Sequence, residues 1–236
     1  MLTLAFDSTA KIASVAVLDG ERVLAEYNVN NGLTQSELLL PMAENILSAL
    51  HLSLDDIGLL ATSVGPGSFT GVRIGAALVK GLAFGKNIPC VSVSTLDALA
   101  ENIRGIKGTV LACMDARRNQ VYNAVYRADG TELTKLCPDR AIAISDLADE
   151  VREYDGPIYL VGDGYESARE GLIASGILPE HTPENIVLES AASVGRVAYR
   201  KYLAGEVQTD LEIAPTYLRM PQAERERLEK LENKKG

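Results

Sequence analysis

One order of predicted elements occurs twice in this chain, and that repetition constrains the fold more than any single motif. Alternating apolar residues predict strands over 2–6, 12–18 and 22–29, separated by a polar turn at 8–11 and by Asp19-Gly20, a strong two-residue hairpin signal. A helix over 34–50 follows, then a strand at 57–64, a helix at 68–85, a strand at 88–93 and a helix from Thr95 to about Arg104. After Gly105 and Gly108 the order returns. Strands are expected near 109–114, 120–126 and 131–136, then a helix near 145–153, a strand at 157–161 and a helix near 165–175. Asp7 ends the first strand with Asp19-Gly20 12 residues later, and Asp115 ends its equivalent with Asp129-Gly130 after 14. A duplicated βββαβα unit explains this economically. The chain therefore reads as an α/β protein of two lobes, 1–104 and 105–221, with a charged tail at 222–236. A last amphipathic helix over 190–203, with Ala191, Val194, Val197, Ala198 and Tyr202 on one side, is placed to return to the first lobe.

Within the first unit, Thr34 opens the first helix with Glu37 three residues on, a capping box. Its apolar row runs through Leu38, Leu39, Met42 and Ile46, and Pro41 must sit at a kink or near the true start. Gly65-Pro66-Gly67 breaks the next strand, and Ser68 is a good N-cap for the second helix. That helix is dense in small residues, with Gly71, Gly75, Ala76, Ala77, Gly81 and Ala83 beside Val72 and Val79. Glycine costs a helix interior about 0.5–1 kcal/mol relative to alanine, so something must pack very close. The turn is not a phosphate loop by pattern: it lacks both the Gly-Lys-Ser/Thr ending and the Gly-x-Gly-x-x-Gly spacing.

The run from Gly65 to Gly75 resembles the signature of the TsaB (YeaZ) family. Leu4-Ala5-Phe6-Asp7-Ser8-Thr9, Met114-Asp115-Ala116-Arg117-Arg118 and Ala214-Pro215-Thr216-Tyr217-Leu218-Arg219 agree with it, in collinear order over about nine-tenths of the chain. The resemblance implies two ribonuclease H-like lobes facing across a cleft, the architecture of the actin, sugar kinase and Hsp70 superfamily. It also implies a non-catalytic subunit in bacterial tRNA threonylcarbamoyladenosine synthesis. Its TsaD-type partner transfers a threonylcarbamoyl group to adenosine 37 of ANN-reading tRNA, and a small P-loop ATPase, TsaE, joins the complex. Because both partners would share the fold, the surface that docks the partner could also pair with itself, giving a homodimer of the isolated chain. No cofactor is implied.

Composition bears on the same question. A net charge of −9 argues against a free-standing tRNA binder, because clustered Lys and Arg supply most non-specific nucleic-acid affinity. If tRNA is involved, a partner holds it. The 3 cysteines are widely spaced and fit neither a disulfide framework nor a paired-Cys zinc site, which points to a reducing cytoplasm. No apolar run approaches a membrane span, and the N-terminus lacks the basic segment of a secretory signal. The 2 histidines, His51 and His181, cannot form the His-x-x-x-His metal motif of the TsaD-type enzyme, so no metal site is expected. The alternative reading is an ATP-binding or hydrolysing enzyme of the same architecture, sugar kinase-like or metallopeptidase-like.

Candidate site residues form two sets. Asp7, Ser8 and Thr9 in the first turn, Asp115 and Arg117 in its equivalent, and Gly162 and Gly164 after the strand at 157–161 stand where the superfamily places its nucleotide contacts. A structural role is open for each: turn carboxylates and hydroxyls satisfy local N–H groups, and glycines supply unusual backbone angles. The second set is an expected partner interface, an exposed row of Leu38, Leu39, Met42 and Ile46 beside a ridge of Gly71, Val72, Gly75, Ala76 and Val79. Small residues permit close helix approach, and two related lobes could join their helix pairs there.

Overall fold

A computed structural model describes residues 1–32 and 35–219. The first sheet contains β1 (Leu2–Asp7), β2 (Ala13–Asp19), β3 (Arg22–Val29), β4 (Leu59–Ser63) and β5 (Cys90–Val93), ordered β3-β2-β1-β4-β5. The first three strands are antiparallel, as short hairpin turns require. β4 and β5 run parallel to β1 because helices α1 (Gln35–Ala49) and α2 (Phe69–Ala83) provide the crossovers.

The second sheet repeats the plan with β6 (Lys107–Asp115), β7 (Gln120–Asp129), β8 (Leu133–Lys135), β9 (Arg140–Ala143) and β10 (Ile158–Val161). β6 and β7 are antiparallel, and β10 lies parallel to β6. The single strand expected at 131–136 is instead two short ones. β8 pairs with Tyr126–Ala128 and β9 with Gln120–Asn123, both along the same edge of β7. Pro138 lies between them, where a ladder donor would be missing. Helices α4 (Ile144–Val151) and α5 (Tyr165–Ala174) complete the second βββαβα unit. The ribonuclease H-like order is therefore present twice.

Three further helices are α3 (Thr95–Glu101), the single turn α6 (Glu184–Val187) and α7 (Ala191–Leu203). Neither β9 nor α6 was anticipated from periodicity. Strand alternation decides what covers each face. Leu4, Phe6, Val15 and Val17 face α1 and α2, while Ala5, Ala16, Leu18 and Ala61 face Ala191, Val194 and Ala198 of α7. On the second sheet, Val110, Ala112 and Met114 meet Leu96, Leu99 and Ile103 of α3 and the turn after it, and Leu111, Val125 and Leu160 meet α4 and α5. Two helices have crossed over: α3 follows the first sheet and packs on the second, whereas α7 follows the second and packs on the first.

These two helices also touch. Ser193 donates to Asn102 Oδ1 at 2.7 Å, and Arg200 pairs with the buried Glu101 at 2.5 Å. Glu101 is buried while Arg200 is a third exposed, so losing the arginine leaves a buried carboxylate without its nearest cation, and the contact fastens the middle layer.

Helix termini agree with expectation at one place and differ at others. Ser68 caps α2, its Oγ accepting the Gly71 N–H at 3.2 Å. The cap of α3 is Ser94, whose Oγ accepts the Leu96 N–H at 3.2 Å, and Thr95 is the first helical residue, its buried hydroxyl without a partner. Pro41 sits inside α1 on an exposed face, so the carbonyl of Glu37 loses its intrahelical donor there. The expected cap Thr34 and the tail 222–236 lie outside the described residues.

Candidate functional site

A cleft of about 540 Å³ opens between the sheets. Its walls are Thr9–Lys11 of the β1–β2 turn, Pro66–Thr70 at the start of α2, Asp115–Arg117 of the β6–β7 turn, Asp163, and Thr216–Arg219. Both duplicated turns thus meet at one place.

The first turn is knotted by its own polar groups. Asp7 is fully buried; one carboxylate oxygen accepts the Thr9 N–H and the Thr9 hydroxyl, each at 2.8 Å, and the other accepts the Ser63 hydroxyl at 2.6 Å. Burial pushes the Asp7 carboxyl upward, and the bonds from Ser63 and Thr9 pull it back. The Ser8 hydroxyl donates to the Gly71 carbonyl at 2.9 Å, and the Ser68 N–H to the Thr9 carbonyl at 2.6 Å. This explains the glycines of α2. A Cβ on Gly71 would overlap the Ser8 carbonyl oxygen, and one on Gly75 would lie 2.6 Å from Thr62 Oγ1 and 3.0 Å from Ser8 Oγ. The helix lies that close because its own turn packs against it.

A phosphate cradle needs free N–H and hydroxyl donors aimed at the ligand. Here the hydroxyls of Ser8 and Thr9 and the Thr9 N–H are already engaged inside the protein. Those groups do not fit a phosphate as the turn stands.

The second turn is open and cationic. Arg117, Arg118 and Asn119 have φ of 62°, 55° and 56°, three successive left-handed residues that are not glycine. Asp115 is exposed and accepts the Arg117 N–H at 2.7 Å. Beneath it, the Gly164 N–H donates to the Cys113 carbonyl at 3.0 Å, and Asp163 accepts the Asp115 N–H at 2.9 Å. Burial raises the Asp163 carboxyl, with the Asp115 N–H and nearby Lys11 opposing. Gly162 and Gly164 therefore seat α5 against the end of β6, as Gly71 and Gly75 seat α2 against the first turn.

Several contributors were not singled out from sequence. Ser63 and Lys11 gave no pattern to notice. The segment 214–219 matched a family motif without an assigned role, and its part is now visible: it runs from one lobe to the other. The Thr216 N–H donates to the Val64 carbonyl at 2.7 Å; Tyr217 stacks on Phe69 at 4.7 Å, and its hydroxyl accepts from Arg73 at 2.8 Å. Arg219 donates to the Ala116 carbonyl at 3.1 Å and also bonds Gln120.

The expected exposed row is corrected by burial. Leu39, Met42 and Ile46 of α1, and Gly71, Val72, Gly75, Ala76 and Val79 of α2, are buried within the chain's own first lobe, and Leu38 is half-buried there. Helical periodicity finds the apolar face but cannot say what covers it. The outward side of the pair carries Leu40, Arg73, Ala77 and Gly81, with Ile74 and Leu78 half-exposed.

A second hollow of about 420 Å³ lies across Asp163, between Tyr165, Arg169, His181, Thr182 and Leu188. His51 lies on the surface in the turn after α1, well away in the chain. Among the described residues no cluster of three or more His, Cys, Asp or Glu is placed to hold a metal ion, and no helix is long and apolar enough to cross a membrane.

Comparison with known proteins accords with this geometry. The family described as "TsaD: tRNA N6-adenosine threonylcarbamoyltransferase" matches residues 34–227. The tRNA threonylcarbamoyladenosine biosynthesis protein TsaB of Bacillus subtilis is 29% identical over 231 residues, covering 95% of this chain and 96% of that protein. The Escherichia coli protein of the same name is 31% identical over 222 residues, covering 93% and 95%. The solved structure of YeaZ from Pseudomonas aeruginosa shares 26% identity and a TM-score of 0.75, covering 92% of this chain and 99% of that one. With the duplicated fold and this collinear likeness taken together, the chain belongs to the TsaB (YeaZ) family.

Proposed function

We propose that the chain is a non-catalytic scaffold subunit acting with a TsaD-type transferase and a TsaE-type ATPase in threonylcarbamoylation of adenosine 37 of ANN-reading tRNA, in the cytoplasm. The observation that carries this reading is end-to-end similarity to proteins named for threonylcarbamoyladenosine biosynthesis, in a chain with no pair of neighbouring histidines. The engaged donors of the first turn favour a scaffold over a nucleotide-hydrolysing enzyme. The net charge of −9 favours a partner as the holder of tRNA.

The docking face in this proposal remains the α1–α2 pair, now through its outward residues Leu40, Ile74, Ala77, Leu78 and Gly81. The isolated chain uses the same face for a homodimer. A Cβ on Gly81 would meet nothing within 4 Å, so its absence has no use inside the chain. A neighbouring helix gives it one.

The decisive experiment is co-purification with the TsaD-type subunit, followed by tRNA modification with each component omitted in turn. Modification requires all of them, and the chain alone gives none; turnover by the chain alone that Asp7→Ala abolishes overturns the scaffold reading. Ala77→Arg and Gly81→Arg leave the fold intact and cut partner binding at least tenfold. If both fold and bind at wild-type strength, the docking face lies elsewhere.

A further inference from the structure

The chain crosses back from the second sheet to the first through residues 187–191. The Gly162 N–H donates to the Val187 carbonyl at 2.6 Å, and Asn102 donates to the Leu188 carbonyl at 2.7 Å. On the far side, the Ala191 N–H donates to Ser14 at 2.8 Å, while Ser190 and the Ala192 N–H bond Glu26 of β3. Every polar group named along this crossing has a partner. Glu189, in its middle, has none: the residue is 4% exposed, and neither carboxylate oxygen has a hydrogen-bond partner.

The charges that act on Glu189 are like ones, the carboxyls of Asp7 at the end of β1 and of Asp163 in the β10–α5 turn. One belongs to each lobe. A buried carboxylate without a partner residue to donate to it, and repelled by two others, is very costly, so at least one of the three must be neutral. The three are not placed as a metal site. Which one carries the proton follows from their partners. Asp7 accepts three hydrogen bonds; Asp163 accepts the Asp115 N–H and is favoured as an anion by the charge of Lys11; Glu189 has no hydrogen-bond partner in another residue, only its own N–H favouring the charged form, and Glu26 is turned toward Ser190 and Ala192.

We propose that Glu189 is a proton-holding hinge residue: neutral, it lets the crossing between the lobes pack against both sheets, and its ionisation drives the two lobes apart. Burial, with Asp7 and Asp163 reinforcing it, pushes this carboxyl up to about 8, which sets the pH window. The folded value lies above the ordinary one, so the folded state holds the extra proton. The stabilising proton is fully present below the ordinary carboxylate range, and stability falls as pH rises from there to about 8, then levels.

Two measurements on the full chain test this. In carboxyl-carbon NMR of glutamate-labelled protein, assigned through the backbone of Glu189, its carboxyl titrates near 8; titration in the ordinary range between 4 and 5 overturns the proposal. Urea unfolding of wild type and Glu189→Gln is compared from pH 5 to 9. Across the window below 8, the wild-type folded-to-unfolded ratio falls relative to the variant by about tenfold per pH unit. Small-angle scattering should show wild type expanding between pH 7 and 9 and Glu189→Gln unchanged. Parallel stability curves, or equal dimensions of both proteins at both pH values, overturn it. If Glu189→Gln does not fold, the wild-type titration and wild-type scattering still decide.

Discussion

The β1–β2 turn and the β6–β7 turn occupy equivalent places in the two lobes and have been built on opposite terms. The first is small and closed, with Asp7 buried beneath it and the groups of Ser8 and Thr9 engaged by Asp7 and Gly71. The second is large and open, with an exposed Asp115 and three left-handed residues, Arg117, Arg118 and Asn119. Both are held from below by glycines of the following strand–helix junction. The scaffold of a duplicated unit thus persists where backbone must approach backbone. What the turn presents to the cleft is free to differ.

The strongest way to break this comparison is to fill the glycine contact. Gly71→Val forces the start of α2 away from Ser8 and should cost about 3 kcal/mol or more in urea unfolding. Gly164→Ala places a Cβ 3.0 Å from the Cys113 carbonyl oxygen and should cost about 1–2 kcal/mol. Equal losses at the two sites would show that the turns are equally tight.

Next in size is the carboxylate pair. Asp7→Ala strands the Ser63 hydroxyl and the Thr9 N–H in a buried site, a loss of about 2–3 kcal/mol by the same measurement. Asp115→Ala frees an exposed N–H that water can satisfy, and the loss is under about 1 kcal/mol. A larger loss for Asp115 would invert the assignment of closed and open turns. The smallest effect sharpens the contrast from the other side: Arg118→Gly relieves a left-handed residue and should raise stability by about 0.5–1 kcal/mol, seen as a higher midpoint of thermal unfolding.

Much of the fold was legible in the chain because it depends on local signals. The period-2 runs, the Asp19-Gly20 hairpin and the Ser68 cap report short-range energetics, and each lies where it was expected. The split of the third strand into β8 and β9 was not legible, since both segments are short and owe their pairing to the long edge of β7. Ser94 and Thr95 are equally good caps by type, and only the backbone path selects the first.

The candidate site divides in the same way. Asp7, Ser8, Thr9, Asp115, Arg117, Gly162 and Gly164 were found by sequence, and the fold brings them to one cleft or directly beneath it. Ser63 reaches it from a strand far away in the chain, and no spacing rule links it to Asp7. The apolar faces of α1 and α2 were equally plain, but whether a sheet or a partner covers them depends on where the sheet lies. By itself the sequence determined the duplicated βββαβα order, the turns, the small-residue helix and the absence of neighbouring histidines, because these rest on local propensity and residue identity. Only the tertiary structure decided that α3 and α7 exchange sheets, that Gly71 and Gly75 serve the chain's own first turn, and that Glu189 is buried without a partner residue for its carboxyl. Those outcomes depend on burial and on contacts between distant residues, which periodicity does not encode.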